Sequence, residues 1–127
     1  MGVDAPATVG TLLRDVDTPA LLVDLDVFES NLKRMATDVS ALSIDLRPHA
    51  KTHKSADIAK AQIESGAVGV CCQKVSEAEA LVEAGISDIL ITNEVVGTRK
   101  IDRLAALSKR AKIVACVDNV ANVEALE

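Results

Sequence analysis

From residue 44 onward the chain repeats one pattern of apolar and polar positions. Apolar runs begin at residues 44 (IDL), 68 (VGVCC), 88 (DILIT) and 112 (KIVACV), 20 to 24 residues apart. They are short, rich in Val and Ile, and not strictly alternating, which is how strands read in a parallel sheet covered on both faces. Each is followed by a helix-like stretch with its own punctuation. Ser55 and Gly66 bracket the first such stretch. Ser76 with Glu79 forms a capping box for the second, Val75, Ala78, Leu81 and Val82 make its apolar stripe, and Gly85 stands where a left-handed C-terminal cap belongs. Ile101, Leu104, Ala105 and Ser108 mark the inward face of the third, and Asn119 caps a fourth. The element order is βαβαβαβα, an α/β chain. Right-handed crossovers then give either an open doubly wound sheet or part of a (β/α)8 barrel.

The first 43 residues fall outside this period. Residues 1–17 lack periodicity and read as a flexible leader, and 18–43 as an opening strand and helix. The strand is TPALLVDLD, 18–26; Asp26 with Glu29 opens the helix, with an apolar stripe of Phe28, Leu32, Met35 and Val39. Residues 44–127 then make the βα array. The last residues, NVEALE, lie partway through a helix without a C-cap, and half a barrel would leave two sheet edges open. The expectation is a fragment of a longer chain.

Composition narrows the function classes. At 127 residues and 49% hydrophobic, the chain can bury a core of ordinary domain size. A formal net charge of −5 argues against nucleic acid or an anionic membrane surface as partner. With one Phe and no Tyr or Trp, neither a base-stacking platform nor an aromatic cage can be built. Cys71, Cys72 and Cys116 all lie in apolar runs and read as small buried hydrophobes in a reducing compartment. No apolar run approaches the roughly 18 residues that span a bilayer. The N-terminus has no secretory pattern, and Pro6 spoils the myristoylation pattern after Gly2. A soluble cytoplasmic protein is expected.

In parallel α/β folds ligands bind at the carboxyl ends of the strands. Those ends carry Arg47 to Lys51, Gln73 and Lys74, Thr92 to Glu94, and Val117 to Asn119. The densest is RPHAKTHK, residues 47–54, which holds one Arg, two Lys and both histidines of the chain. His49 and His53 are four apart, but Pro48 precedes the first and helix signals begin only at Ser55, so a two-histidine metal site is disfavoured. Lys51, at the end of an inner strand among other cations, suits Schiff-base chemistry if desolvation lowers its pKa. A lysine that merely snorkels or pairs with phosphate fits the same residues. Pro48 also suits a central strand badly, so pairing should end or distort near Arg47. No phosphate cradle is visible: GAVGV, 66–70, precedes a strand instead of following one.

The segments DTPALLVDLD, LRPHAKTHK, GAVGVCCQKVSEAE, DILITNEVVG and CVDN, in this order over roughly residues 17–122, resemble the alanine-racemase-like N-terminal domain of fold-type III pyridoxal-phosphate enzymes. The nearer resemblance is to the D-threonine aldolase and D-serine dehydratase group, and RPHAKTHK followed by CCQKVSEAE is its most specific part. It implies the N-terminal half of a (β/α)8 barrel, truncated after about four βα units, with a C-terminal β domain absent from this chain. It implies that Lys51 carries pyridoxal 5′-phosphate, with His49, Gln73, Arg47 and Asn93 as further cofactor contacts; Asn93 and Asp118 could equally cap helices. It implies a homodimer acting on a small D-amino acid, and a divalent metal held by residues outside this chain. The implied activity is a lyase cleaving D-β-hydroxy amino acids by retro-aldol chemistry, with the fragment alone inactive. The alternatives are a D-serine or D-threo-3-hydroxyaspartate dehydratase, a non-catalytic pyridoxal-phosphate carrier, and a non-enzymatic α/β module complete in itself.

Overall fold

The computed structural model describes residue 5 and residues 7–127, so the expectations for Gly2 and Pro6, and part of the 1–17 leader, lie outside the described residues. The chain divides into two compact units, Met1–Asn31 and Leu32–Glu127.

In the first unit, a single 3₁₀ turn spans Leu13–Asp15. No strand forms over 18–26. Leu21, Leu22 and Val23 are exposed and outside any ladder, because no described strand offers them backbone partners. Helix α1, Leu25–Ala41, runs from the first unit into the second and starts two residues earlier than Asp26 and Glu29 suggest. Asp24 caps it, its Oδ1 accepting the Val27 N–H at 3.0 Å. None of the residues of α1 is buried.

The second unit is the βα array. Its elements are α2 (Ala56–Glu64), β1 (Val70–Cys72), α3 (Val75–Glu83), β2 (Asp88–Glu94), α4 (Thr98–Ser108), β3 (Lys112–Cys116) and α5 (Val120–Leu126). The sheet is parallel throughout, in the order β1-β2-β3. The run at 44–46 forms no strand. Its continuation meets β1 in one parallel bridge, His49 to Cys71, closed by Cys71 N–H to Pro48 C=O at 2.7 Å and Ala50 N–H to Cys71 C=O at 2.8 Å. The next bridge back would need an N–H on Pro48, which proline lacks, so the ladder stops there.

Four helices feed one core. Val70, Cys72, Ile89 and Ile91 are its largest fully buried side chains. Against them pack Ala59 of α2, Val75, Ala78, Leu81 and Val82 of α3, Leu104 and Leu107 of α4, and Leu126 of α5. The helices thus cover one face of the sheet. Only β1 is buried on both faces; β2 and β3 alternate, with Val114 and Cys116 on the uncovered side. Sequential strand order with one-sided helices selects the partial (β/α) barrel over the doubly wound sheet.

Helix ends follow the punctuation in most places. Ser55 caps α2, accepting the Ile58 N–H at 3.3 Å, and Asn119 caps α5, accepting the Ala121 N–H at 2.8 Å. Gly66 and Gly85 have φ of +110° and +92° and close α2 and α3 in Schellman turns. The Ala67 N–H reaches the Gln62 C=O at 3.1 Å, and the Ile86 N–H reaches the Leu81 C=O at 3.0 Å. Two expectations are corrected. Lys74, not Ser76, is the N-cap of α3, and Glu77 reaches back to the Gln73 N–H at 2.9 Å while Glu79 bonds Arg103 Nε at 2.7 Å. The inward face of α4 is Ile101, Leu104 and Leu107; Ala105 and Ser108 face solvent.

Candidate active site

Lys51 sits in the turn that follows the His49–Cys71 bridge, at the carboxyl end of the sheet. Three backbone contacts fix it. Ala50 is buried and tied to Cys71, the Lys54 N–H closes the turn onto the Ala50 C=O at 2.8 Å, and the Lys51 N–H donates to His49 Nδ1 at 3.3 Å. The side chain itself is exposed, because the described residues surround one side of the rim only. Its amine has no carboxylate partner among the described ion pairs, unlike Lys54, which meets Glu77 at 3.7 Å, and Lys112.

His49 is half-buried and points along the rim to β2. Its Nε2 meets Thr92 Oγ1 at 2.9 Å, and the Thr92 hydroxyl donates to the Cys72 C=O at 3.1 Å. Burial holds the imidazole below its ordinary pKa and the Lys51 charge pushes the same way, against a smaller upward pull from Glu77. His53 turns the other way. Its Nδ1 accepts the Ser55 N–H at 3.0 Å at the start of α2, and burial lowers its pKa as well. The two histidines thus serve different places, and no group of three or more His, Cys, Asp or Glu residues that could hold a metal occurs among the described residues.

Gln73 and Asn93 follow β1 and lie in the bulged end of β2, respectively, and together line a cavity of about 260 Å³ with Val75, Val95 and Lys100. The bulge arises because β3 pairs Ala115 with Ile91 and then Cys116 with Glu94, leaving Thr92 and Asn93 as extra residues on β2. Asp118 lies in the loop just before the Asn119 cap.

Arg47, expected as a cofactor contact, is directed away from the rim. Its Nη1 lies 2.5 Å from Asp88 Oδ1, and Asp88 opens β2 at the amino end of the sheet, opposite the rim. Lys112, the first residue of β3, binds the other carboxylate oxygen at 3.1 Å. Cys71 and Cys72 are buried as expected; burial raises the Cys71 pKa and pushes Cys72 up to about 12. Cys116 is exposed, against expectation, because it lies on the face of β3 that the described residues leave uncovered. Sequence reasoning placed Thr92 on the rim without giving it a role. Its only signal was a hydroxyl ending the apolar run DILIT.

A parallel βα array with a lysine held on its carboxyl rim defines the class: a partial (β/α) barrel. The chain belongs to the alanine racemase N-terminal domain family, whose model matches residues 23–127. It is 52% identical over 118 residues to a D-threonine aldolase of Arthrobacter sp., covering 93% of this chain and 31% of the relative. It is 48% identical over 125 residues to a 3-hydroxy-D-aspartate aldolase of Paracoccus denitrificans, covering 97% of this chain and 32% of the relative. A D-threo-3-hydroxyaspartate dehydratase of Delftia sp. (strain HT23) is 36% identical over 114 residues, 90% of this chain and 30% of that one. Among solved structures, D-threonine aldolase from Filomicrobium marinum superposes with a TM-score of 0.95 at 54% identity, over 98% of this chain and 34% of that one. The chain spans about a third of the length of these relatives.

The residues present fit pyridoxal phosphate. The amine of Lys51 is exposed and has no acidic partner among the described residues, its backbone is held on both sides, and burial, with the Lys51 charge, lowers the pKa of nearby His49.

Proposed function

We propose that the full-length protein is a pyridoxal-phosphate-dependent lyase that cleaves D-β-hydroxy amino acids in the manner of a D-threonine aldolase, releasing glycine and an aldehyde. One observation carries this: the rim position of Lys51, pinned through its own N–H by a half-buried histidine. Similarity to aldolases exceeds similarity to the dehydratase, which favours retro-aldol cleavage over loss of the β-hydroxyl. Pyridoxal phosphate, when bound, supplies an electron sink for the bond broken at Cα.

The residues of this chain anchor and orient. Lys51 holds the cofactor, His49 lies beside it, and Gln73, from the loop after β1, and Asn93, from the end of β2, offer uncharged donors and acceptors. Groups that bind the cofactor phosphate, a divalent metal acting as Lewis acid and the base for the β-hydroxyl would come from other parts of the full-length chain. In the proposed layout, a leader (1–17) and an opening segment (18–43) precede the barrel half (44–127), and a β-rich domain completes a cytoplasmic homodimer. The free cysteines agree with a reducing compartment, and no helix of the described residues is long and apolar enough to cross a membrane.

The test is D-threonine with full-length protein. Glycine and acetaldehyde are expected, and the visible absorbance of the lysine-bound cofactor should vanish in Lys51→Ala. Release of 2-oxobutanoate and ammonia would establish the dehydratase instead. Cofactor bound without turnover would indicate a carrier, and cofactor absorbance surviving in Lys51→Ala would sink the assignment of Lys51.

A further inference from the structure

We propose that Thr92 is a positioning residue: it fixes His49 as the neutral tautomer with its proton on Nε2, so that His49 Nδ1 can clamp the backbone N–H of Lys51.

Both ends of a four-member chain demand this state. A threonine hydroxyl has a single proton to donate. Here it goes to the Cys72 C=O at 3.1 Å, since a carbonyl can only accept. Towards His49, 2.9 Å away, the Thr92 oxygen must therefore accept, and Nε2 must carry a proton. At the other end, the backbone N–H of Lys51 can only donate, so Nδ1 must present its lone pair, at 3.3 Å. A proton on Nδ1 would face the Lys51 N–H directly. An imidazolium is thus excluded as firmly as the other tautomer, and burial together with the Lys51 charge acts in the same direction.

Two consequences follow. Neither nitrogen of His49 has a free lone pair, so His49 does not accept a proton from a substrate; it is a strut. The carbonyl at the end of β1, the hydroxyl at the bulge of β2 and the lysine turn are also joined in one line across the rim. The bulge matters because Thr92 lies where the β2–β3 ladder has been released. This deepens the reading of Lys51 as cofactor anchor and takes its catalytic meaning from that reading, but the hydrogen-bond chain stands on geometry alone.

The test uses full-length protein labelled with 15N-histidine, near neutral pH and without added substrate. The His49 signal, assigned by its loss in His49→Gln, is expected to show a proton on Nε2 and none on Nδ1. In Thr92→Val the Lys51 amide should exchange about five- to tenfold faster, the factor that one net hydrogen bond holds. The Ile89 amide, in the buried part of β2, should keep its rate as a reference, and Thr92→Ser should restore the native Lys51 rate. A proton on Nδ1 in the native protein overturns the proposal without need of any variant. So does a Thr92→Val protein whose Lys51 amide exchanges no faster, or faster only in step with Ile89. Neither readout involves pyridoxal phosphate, so failure of the cofactor assignment and failure of this one are separately visible.

Discussion

Arg47 crosses the amino end of the sheet to Asp88, with Nη1 and Oδ1 2.5 Å apart and both side chains less than a quarter exposed. The crossing is possible because residue 69, between them, is glycine. A Cβ built there would lie 2.5 Å from Arg47 Nη1 and closer still to the Asp88 carbonyl oxygen. One of those obstacles is backbone and the other is engaged in the ion pair, so neither can step aside cheaply. Gly69→Ala should destabilise the full-length protein by about 1–3 kcal/mol, the range for overpacking a filled site. Denaturant unfolding of the variant beside the native protein measures it.

The same pair predicts an acid dependence. The Arg47 guanidinium holds the Asp88 carboxyl below the usual carboxylate range, and Lys112 adds to the effect. A carboxyl whose pKa is lower folded than unfolded stabilises fully above its unfolded value, near 4 for aspartate. That stability is lost as pH falls through the folded value. Asp88→Asn should cost about 2 kcal/mol at neutral pH, as for a hydrogen bond to a charged group. Its stability should then fall less steeply than the native protein's below about pH 4. Parallel slopes in the two pH series would remove Asp88 from the account.

How much of this was legible in the sequence varies with the range of the interaction. The Val- and Ile-rich runs located β1, β2 and β3, and Gly66, Gly85, Ser55 and Asn119 marked helix ends, because each acts within a few residues of itself. The first strand was misplaced. Its length depended on a ladder partner, and Pro48 withheld the N–H that a second bridge required. The capping box at Ser76 and Glu79 was a valid local pattern that lost to tertiary contacts: Val75 is buried in the core, and Glu79 is taken by Arg103. Lys51 was singled out through its motif. The partners of Arg47 and His49 were not, since Asp88 and Thr92 lie 41 and 43 residues away along the chain.

Gly85 offers a contrast with Gly69. Its φ is +92°, and a Cβ there would meet nothing within 4 Å. The penalty in Gly85→Ala is therefore conformational, about 1 kcal/mol for holding an L-residue in the left-handed region. Gly85→Asn should lose less, because asparagine tolerates that region better. Equal losses in the two variants, read from thermal unfolding, would point to a steric cause instead.

Asn122 is the buried polar residue of α5, and its Nδ2 donates to the Val95 C=O at 2.8 Å. That bond ties the loop after β2 to α5, across a carbonyl with no ladder partner of its own. Asn122→Ala should leave the Val95 carbonyl buried and unpaired, at a cost of about 1–3 kcal/mol. Asn122→Asp should be at least as damaging: a carboxylate cannot donate, and it would set a charge beside that carbonyl. Restoring a donor distinguishes the hydrogen bond from simple packing. His at position 122 can donate, whereas Leu fills similar volume without donating, so Asn122→His should retain more stability than Asn122→Leu. The opposite order in denaturant unfolding would show that volume at this position, and not the bond to Val95, holds α5 in place.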